Sequence, residues 1–197
     1  SMIGEFRAKN IVDLCKRVIE EEVPGHFLEA GVWRGGTCIL MRGILEAYQI
    51  RDRKVFCADS FEGLPVPDEN KYPRDAGDIL HTFEQLAVPL ETVQENFRQY
   101  DLFDEQTVFL KGWFKDTMPT ISDETFSIIR LDGDMYGSTM DILNNIYDSV
   151  SKGGFIVVDD YALPTCKAAV EDFREQRNIS DKIYEIDWTG IWWQKTQ

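Results

Sequence analysis

The sequence predicts an α/β fold built on a doubly wound, Rossmann-like sheet, mostly parallel, with an antiparallel hairpin at its C-terminal edge. Segments of strand type and helix type alternate along most of the chain. Two short apolar runs end in carboxylates, at Asp132-Gly133-Asp134 and at Asp159-Asp160. The last two strand-like segments are joined by Asp187-Trp188-Thr189, which is short enough for a hairpin connection.

Helical spacing of apolar residues predicts a first helix from about Lys9 to Glu21, before Pro24-Gly25. A strand from His26 to Ala30 then enters a glycine turn, after which Thr37 can cap a helix to about Tyr48. The next strand, Lys54 to Ala58, ends on Asp59. The remaining predicted elements are helix Leu90 to Tyr100, strands Thr107 to Lys111 and Phe126 to Leu131, helix Ser138 to Val150, strand Gly154 to Val158, helix Pro164 to Gln176, and hairpin strands Lys182 to Ile186 and Gly190 to Gln194.

A long segment rich in proline and charge, Phe61 to Pro89, interrupts this alternation. Loops of this length in compact domains are usually functional. The segment carries His81, which titrates near neutral pH and is therefore a candidate proton acceptor; a solvated loop histidine is the alternative interpretation.

Length and composition limit the class of protein. The chain has 197 residues, of which 43% are hydrophobic, and we expect one domain spanning 1–197. A formal charge of −14 disfavours nucleic acid and anionic membrane surfaces as partners. No apolar stretch approaches the roughly 20 residues that span a bilayer, and the four cysteines are scattered. We expect reduced, mostly buried thiols and a cytoplasmic protein.

The carboxylates at the two predicted strand ends indicate a cation site. Grouped carboxylates repel one another unless a cation or shared protons compensate them. An all-oxygen donor set without histidine or cysteine favours Mg²⁺, with Mn²⁺ as the alternative, over zinc. Helix capping or solvation of Asp132, Asp159 and Asp160 is the competing interpretation. Asp134 either caps the next helix, holds waters around the ion, or takes the place of Asp132.

The glycine turn after the first strand departs from the dinucleotide pattern GxGxxG. A looser turn preceded by Glu29 favours a cationic nucleotide without phosphates, such as S-adenosylmethionine, whose amino group and ribose need acceptors. Asp59 would then hold the ribose hydroxyls. Alternatively, Gly31, Gly35 and Gly36 only relieve crowding where the strand meets the helix.

Six ordered blocks stand out along the chain. They are residues 29–36 (EAGVWRGG), 58–65 (ADSFEGLP), 111–119 (KGWFKDTMP), 130–139 (RLDGDMYGST), 157–161 (VVDDY) and 186–190 (IDWTG). Together these blocks resemble the macrocin O-methyltransferase family over nearly the whole chain. The resemblance implies a Rossmann-like methyltransferase fold and enzymes that use S-adenosylmethionine and Mg²⁺ to methylate sugar hydroxyls on macrolide and aminocoumarin antibiotics.

Carried over by position, the family pattern implies Asp132, Asp159 and Asp160 as magnesium ligands, with Asp132 also a candidate general base. For Trp113 and Phe114, ordinary packing in the core is the alternative to a contact with the cofactor. The implied cofactor contacts are Glu29, Gly31, Gly35, Asp59, Ser60, Gly112, Trp113, Phe114 and Asp132.

The resemblance therefore leads us to expect an S-adenosylmethionine- and Mg²⁺-dependent O-methyltransferase acting on a hydroxyl of a sugar or a glycosylated natural product. The expected partner is a small, sugar-containing hydroxyl acceptor, and the sequence leaves homo-oligomer formation open. Two alternatives stand beside this expectation. One is a catechol-type O-methyltransferase, and the other is a protein that binds adenosylmethionine or metal without turnover.

Overall fold

The structure, a computed structural model, describes residues 2–197 and contains a seven-stranded sheet in the order β3-β2-β1-β4-β5-β7-β6. The strands are His26–Ala30 (β1), Val55–Asp59 (β2), Thr107–Lys111 (β3), Phe126–Leu131 (β4), Val150–Val158 (β5), Tyr184–Glu185 (β6) and Ile191–Gln194 (β7). The α-helices are Gly4–Glu20 (α1), Gly36–Ala47 (α2), Leu90–Arg98 (α3), Phe114–Thr117 (α4), Tyr136–Ile146 (α5) and Pro164–Gln176 (α6).

The sheet is mostly parallel, as the sequence predicts. β1 pairs in parallel with both β2 and β4, β2 with β3, and β4 with β5. β7 runs antiparallel to β5 and to β6, which confirms the hairpin at this edge. The direction of winding reverses between β1 and β4, and α/β sheets bind ligands beyond the carboxyl ends of their strands at such a switch point.

Apolar side chains on the two faces of the sheet form two separate cores. Helices α5 and α6 cover one face, where Phe173 and Trp193 are fully buried, and α1, α2 and α3 cover the other, where Phe27 and Phe97 are fully buried. All six residues of β4 are buried, as expected for a central strand with helices on both sides.

The predicted elements are all present, with differences at their ends. Helix α1 begins at Gly4, five residues before the predicted Lys9, so its first turns carry Arg7 to the site described below. β5 begins at Val150 instead of Gly154, because Val150 pairs with Phe126 of β4. The predicted helix ending at Val150 was therefore too long. The short helix α4 was not predicted at all.

The long segment between β2 and α3 folds into three short 3₁₀ helices and is attached to the N-terminus of α5. The carboxylate of Asp75 is buried and accepts hydrogen bonds from the backbone N–H groups of Tyr136 and Gly137, both at 2.8 Å. The ring of Tyr72 covers Gly137 so closely that a Cβ at position 137 would lie 2.4 Å from it. The absence of a side chain at Gly137 is what allows this segment to pack here.

All four cysteines are buried and free, which confirms the prediction of reduced, buried thiols. Within residues 2–197, none of the helices combines the length and the apolar character that crossing a bilayer requires.

We expect Gly31→Ala to destabilise the fold far more than Gly77→Ala. Both glycines have positive φ, at +96° and +81°, but a Cβ at position 31 would lie 1.8 Å from the carbonyl oxygen of Asp132, whereas one at position 77 would meet nothing within 4 Å. Urea unfolding should show a loss of about 3 kcal/mol or more for Gly31→Ala and about 1 kcal/mol for Gly77→Ala. Equal losses would mean that backbone strain alone, and not the close approach to Asp132, explains the need for glycine.

Candidate active site

Backbone hydrogen bonds continue the parallel pairing one residue beyond strands β4 and β5. The carboxyl ends of β1, β4 and β5 are therefore aligned with one another. The N–H of Asp132 donates to the carbonyl of Ala30 (2.8 Å), and the N–H of Asp159 donates to that of Leu131 (2.9 Å). A cavity of about 650 Å³ opens at this edge of the sheet. Its volume lies within the range of small-molecule binding sites.

Three carboxylates form an acidic cluster on one wall of this cavity, namely Asp132, Asp134 and Asp160. One oxygen from each lies within 4.8 Å of the others. Burial and the neighbouring negative charges raise the pKa of Asp134 to about 7 and raise the pKa of Asp160 well above its usual range. Like charges gathered in this way are stabilised by a bound cation or by protons. Their all-oxygen donor set fits Mg²⁺ or Mn²⁺.

Asp134 enters the acidic cluster because of an unusual turn between β4 and α5. Its backbone φ is +57°, a left-handed conformation that is uncommon for a residue other than glycine. The backbone N–H of Asp134 donates to Oδ2 of Asp160 (3.3 Å), and the hydroxyl of Thr165 donates to the carbonyl of Asp134 (3.2 Å). A strained backbone conformation persists only where the surrounding structure fixes it, and such residues are found mainly at functional sites.

Behind the acidic cluster, the guanidinium of Arg130 is 1% exposed and contacts three carboxylates. Its Nη1 lies 2.5 Å from Oε1 of Glu29 and 2.8 Å from Oδ2 of Asp132, and its Nη2 lies 2.5 Å from Oδ1 of Asp159. Burial of a charge is tolerated when the charge is paired in this way. Arg130 therefore links the ends of β1, β4 and β5 from inside the sheet.

Arg7 of helix α1 binds the other oxygen of Asp159, and its Nε lies 3.0 Å from Oδ2 of Asp187 in the closing hairpin. The carboxylate of Asp159 is thus held between Arg7 and Arg130. It lies beside the acidic cluster, whereas the family pattern implied Asp159 as a metal ligand. Asp134, which the sequence offered as a helix cap, a holder of waters or a replacement for Asp132, instead joins Asp132 and Asp160 in the cluster.

The first glycine turn is organised by Asp59 at the end of β2. Its carboxylate accepts hydrogen bonds from the backbone N–H groups of Val32 (2.7 Å), Trp33 (3.1 Å) and Phe61 (2.7 Å). Burial raises the pKa of Asp59 from its ordinary value, and these three hydrogen bonds lower it. Asp59 therefore fixes the turn in addition to facing the cavity.

Glu29 lies between Arg130 and the thiol of Cys38, which donates to its Oε2 at 2.7 Å. The side chain is 1% exposed, and this burial raises the pKa of Glu29 to about 7 in spite of the opposing charge of Arg130.

Most of the predicted site residues come together around the cavity. Gly35 and His81 are exceptions among the described residues. Gly35 instead faces helix α3, where a Cβ would lie 2.8 Å from Val93. His81 is half-buried, and the described part of the chain offers no hydrogen-bond partner to its Nδ1. The predicted residues that line the cavity are Glu29, Gly31, Asp59, Ser60, Gly112, Trp113, Phe114, Asp132, Asp159 and Asp160.

Sequence reasoning did not assign roles to Arg130, Arg7 or Asp75. A signal existed for Arg130, because a charged residue inside the buried run Phe126–Leu131 must find partners. Arg7 and Asp75 carry no such signal, since each meets its partners through contacts between segments distant in sequence.

The strand order with its antiparallel β7, and a cavity at the switch point between a glycine turn and an acidic wall, define a Rossmann-like methyltransferase. The profile of the family described as Macrocin-O-methyltransferase (TylF) matches residues 1–195. The chain belongs to this family and is an S-adenosylmethionine-dependent O-methyltransferase.

Three relatives illustrate the similarity. The chain is 47% identical to mycinamicin III 3''-O-methyltransferase of Micromonospora griseorubida, covering 100% of this chain and 78% of the relative. It is 46% identical to 8-demethyl-8-(2,3-dimethoxy-alpha-L-rhamnosyl)-tetracenomycin-C 4'-O-methyltransferase of Streptomyces olivaceus, covering 100% and 76%. The solved structure of the O-methyltransferase NovP superposes with a TM-score of 0.97 at 50% identity, covering 100% of this chain and 82% of NovP.

We expect the buried Glu29 to make the folded state less stable as the pH rises. Its pKa is about 7 when folded and near 4.5 when unfolded, so between these values the folded protein holds a proton that the unfolded chain has lost. The free energy of unfolding contributed by this group therefore falls from pH 4.5 to about 7. Urea unfolding across this range, in the presence of EDTA, should give a less negative slope for Glu29→Gln than for wild type. Parallel slopes would contradict a raised pKa at this position.

Proposed function

We propose that this enzyme transfers the methyl group of S-adenosylmethionine to a sugar hydroxyl of a glycosylated natural product, with a divalent cation, Mg²⁺ in the first instance, held by the acidic cluster. The observation that carries the metal requirement is the convergence of Asp132, Asp134 and Asp160 within 4.8 Å on the cavity wall. The relatives named for mycinamicin III and for a rhamnosyl tetracenomycin support the acceptor class.

The donor would be bound by one group of residues. The glycine turn held by Asp59, together with Gly112, Trp113 and Phe114 opposite, would enclose the donor and align its methyl group, because in-line transfer depends chiefly on alignment. Glu29 would accept a hydrogen bond from the donor's amino group.

The acidic cluster would receive the acceptor. A bound divalent cation lowers the pKa of a coordinated hydroxyl and fixes its direction. Asp132, whose other partner is Arg130, is the predicted proton acceptor. Arg130 and Arg7 would keep Asp159 oriented beside the ion.

A catechol-type methyltransferase is the second candidate, since the acidic cluster would equally hold an ion that chelates two adjacent phenolic oxygens. The test is turnover with S-adenosylmethionine and Mg²⁺ against a panel of glycosylated macrolides, aminocoumarins and aromatic polyketides, with simple catechols in parallel. Mass spectrometry should find the added methyl group on the sugar, and EDTA should abolish its transfer. Methylation of catechols alone would reject the sugar acceptor.

Removing single carboxylates from the acidic cluster should weaken metal binding. With S-adenosylhomocysteine present, titration calorimetry of Mg²⁺ should show a loss of affinity of tenfold or more for Asp132→Asn, Asp134→Asn and Asp160→Asn, because each removes a charged ligand from a shared site. Asp159→Asn should cost less, because Arg7 and Arg130 already bind the Asp159 carboxylate; an equal loss would add Asp159 to the ligand set. Asp148→Asn, which changes an exposed carboxylate paired with Arg177, is the control and should bind as wild type does. Unchanged binding in all the cluster variants would show that the ion is held elsewhere.

A further inference from the structure

Four of the five most exposed large apolar side chains among the described residues line the main cavity or the depression beside it. Trp188 is 83% exposed, Val66 74%, Phe6 70% and Met2 63%. Met2, Val66 and Trp188 line the main cavity. Phe6 and Trp188 line a shallower depression of about 550 Å³, which shares Ile3, Arg7 and Trp188 with the main cavity and so continues it. Contiguous apolar surface at the mouth of a site marks a place where a ligand or partner binds.

The backbone turn that carries Trp188 is fixed by several contacts, although the side chain is exposed. On one side, Asp187 binds Arg7 and accepts hydrogen bonds from the backbone N–H groups of Thr189 (3.0 Å) and Gly190 (2.7 Å). On the other side, the hydroxyl of Thr189 donates to the carbonyl of Asp159 at 2.9 Å. The turn that presents the indole is therefore tied to the same residues that support the acidic cluster. An exposed aromatic on a fixed turn is suited to anchoring a ligand.

The volume of the main cavity requires part of a large acceptor to remain outside it. A cavity of about 650 Å³ is suited to one drug-sized ligand, and the donor is itself of that size. A sugar can enter beside the donor, but a macrolide or a polycyclic aglycone attached to that sugar cannot.

We propose that Met2, Phe6, Val66 and Trp188 form an aglycone shelf, which binds the apolar aglycone of the acceptor while the attached sugar reaches the acidic cluster. This inference rests on the function proposed above and adds which residues of this chain bind the aglycone.

The experiment compares two acceptors that share one sugar: a glycoside with a macrolide or polycyclic aromatic aglycone, and the methyl glycoside of that sugar. Wild type should have a KM at least tenfold lower for the large glycoside. Trp188→Ala should raise that KM about tenfold with kcat retained, and should leave the KM for the methyl glycoside unchanged. Phe6→Ala should act in the same direction. Tyr100→Ala, which removes an aromatic 65% exposed elsewhere on the surface, should change neither value.

Several outcomes would overturn the aglycone shelf. Equal KM values for the two acceptors in wild type, or an unchanged KM for the large glycoside in both Trp188→Ala and Phe6→Ala, would show that the aglycone binds elsewhere. A wild-type dimer that Trp188→Ala converts to a monomer in sedimentation would assign the surface to a second copy of the chain. Failure of wild type to methylate any glycoside would instead count against the proposed function itself.

Discussion

The buried guanidinium of Arg130 is the constraint on which the rest of the site depends. It lies in the central strand, almost without solvent, and contacts carboxylates from β1, β4 and β5 at 2.5 to 2.8 Å. Burial of this charge is compensated only while Glu29, Asp132 and Asp159 all face it. The ion pairs of this one buried arginine therefore fix the relative positions of the strand ends that carry the donor site and the acceptor site.

The same network orders the surroundings of the acidic cluster. Arg7 and Arg130 both pair with Asp159, and Arg130 also pairs with Asp132, whereas Asp134 and Asp160 contact neither arginine. This separation leaves the cavity wall suited to a cation. Because Arg7 also binds Asp187, the closing hairpin and the first helix are attached to the metal-binding edge, and the exposed indole beside Asp187 shares its support with the catalytic groups.

The general architecture was predictable from local patterns. β1, β3, β4 and α6 have the bounds that the sequence predicts, because apolar runs and a proline at the helix start are local signals. The first two residues of α5 and the first four of β5 were not predictable. Tyr136 and Gly137 are held in α5 by Asp75, 61 and 62 residues away, and Val150 joins β5 by pairing with Phe126.

The sequence by itself determined which residues gather at the carboxyl ends of the strands, because the alternation of elements brings Asp59, Asp132, Asp159 and the glycine turn to one edge. Only the tertiary structure decided which carboxylates pair with arginines and which face the cavity. Asp159 faces Arg7, which is 152 residues away, and Arg130 reaches Glu29 across 101 residues. The direction of a side chain beyond a strand end depends on such partners, and sequence spacing does not contain them.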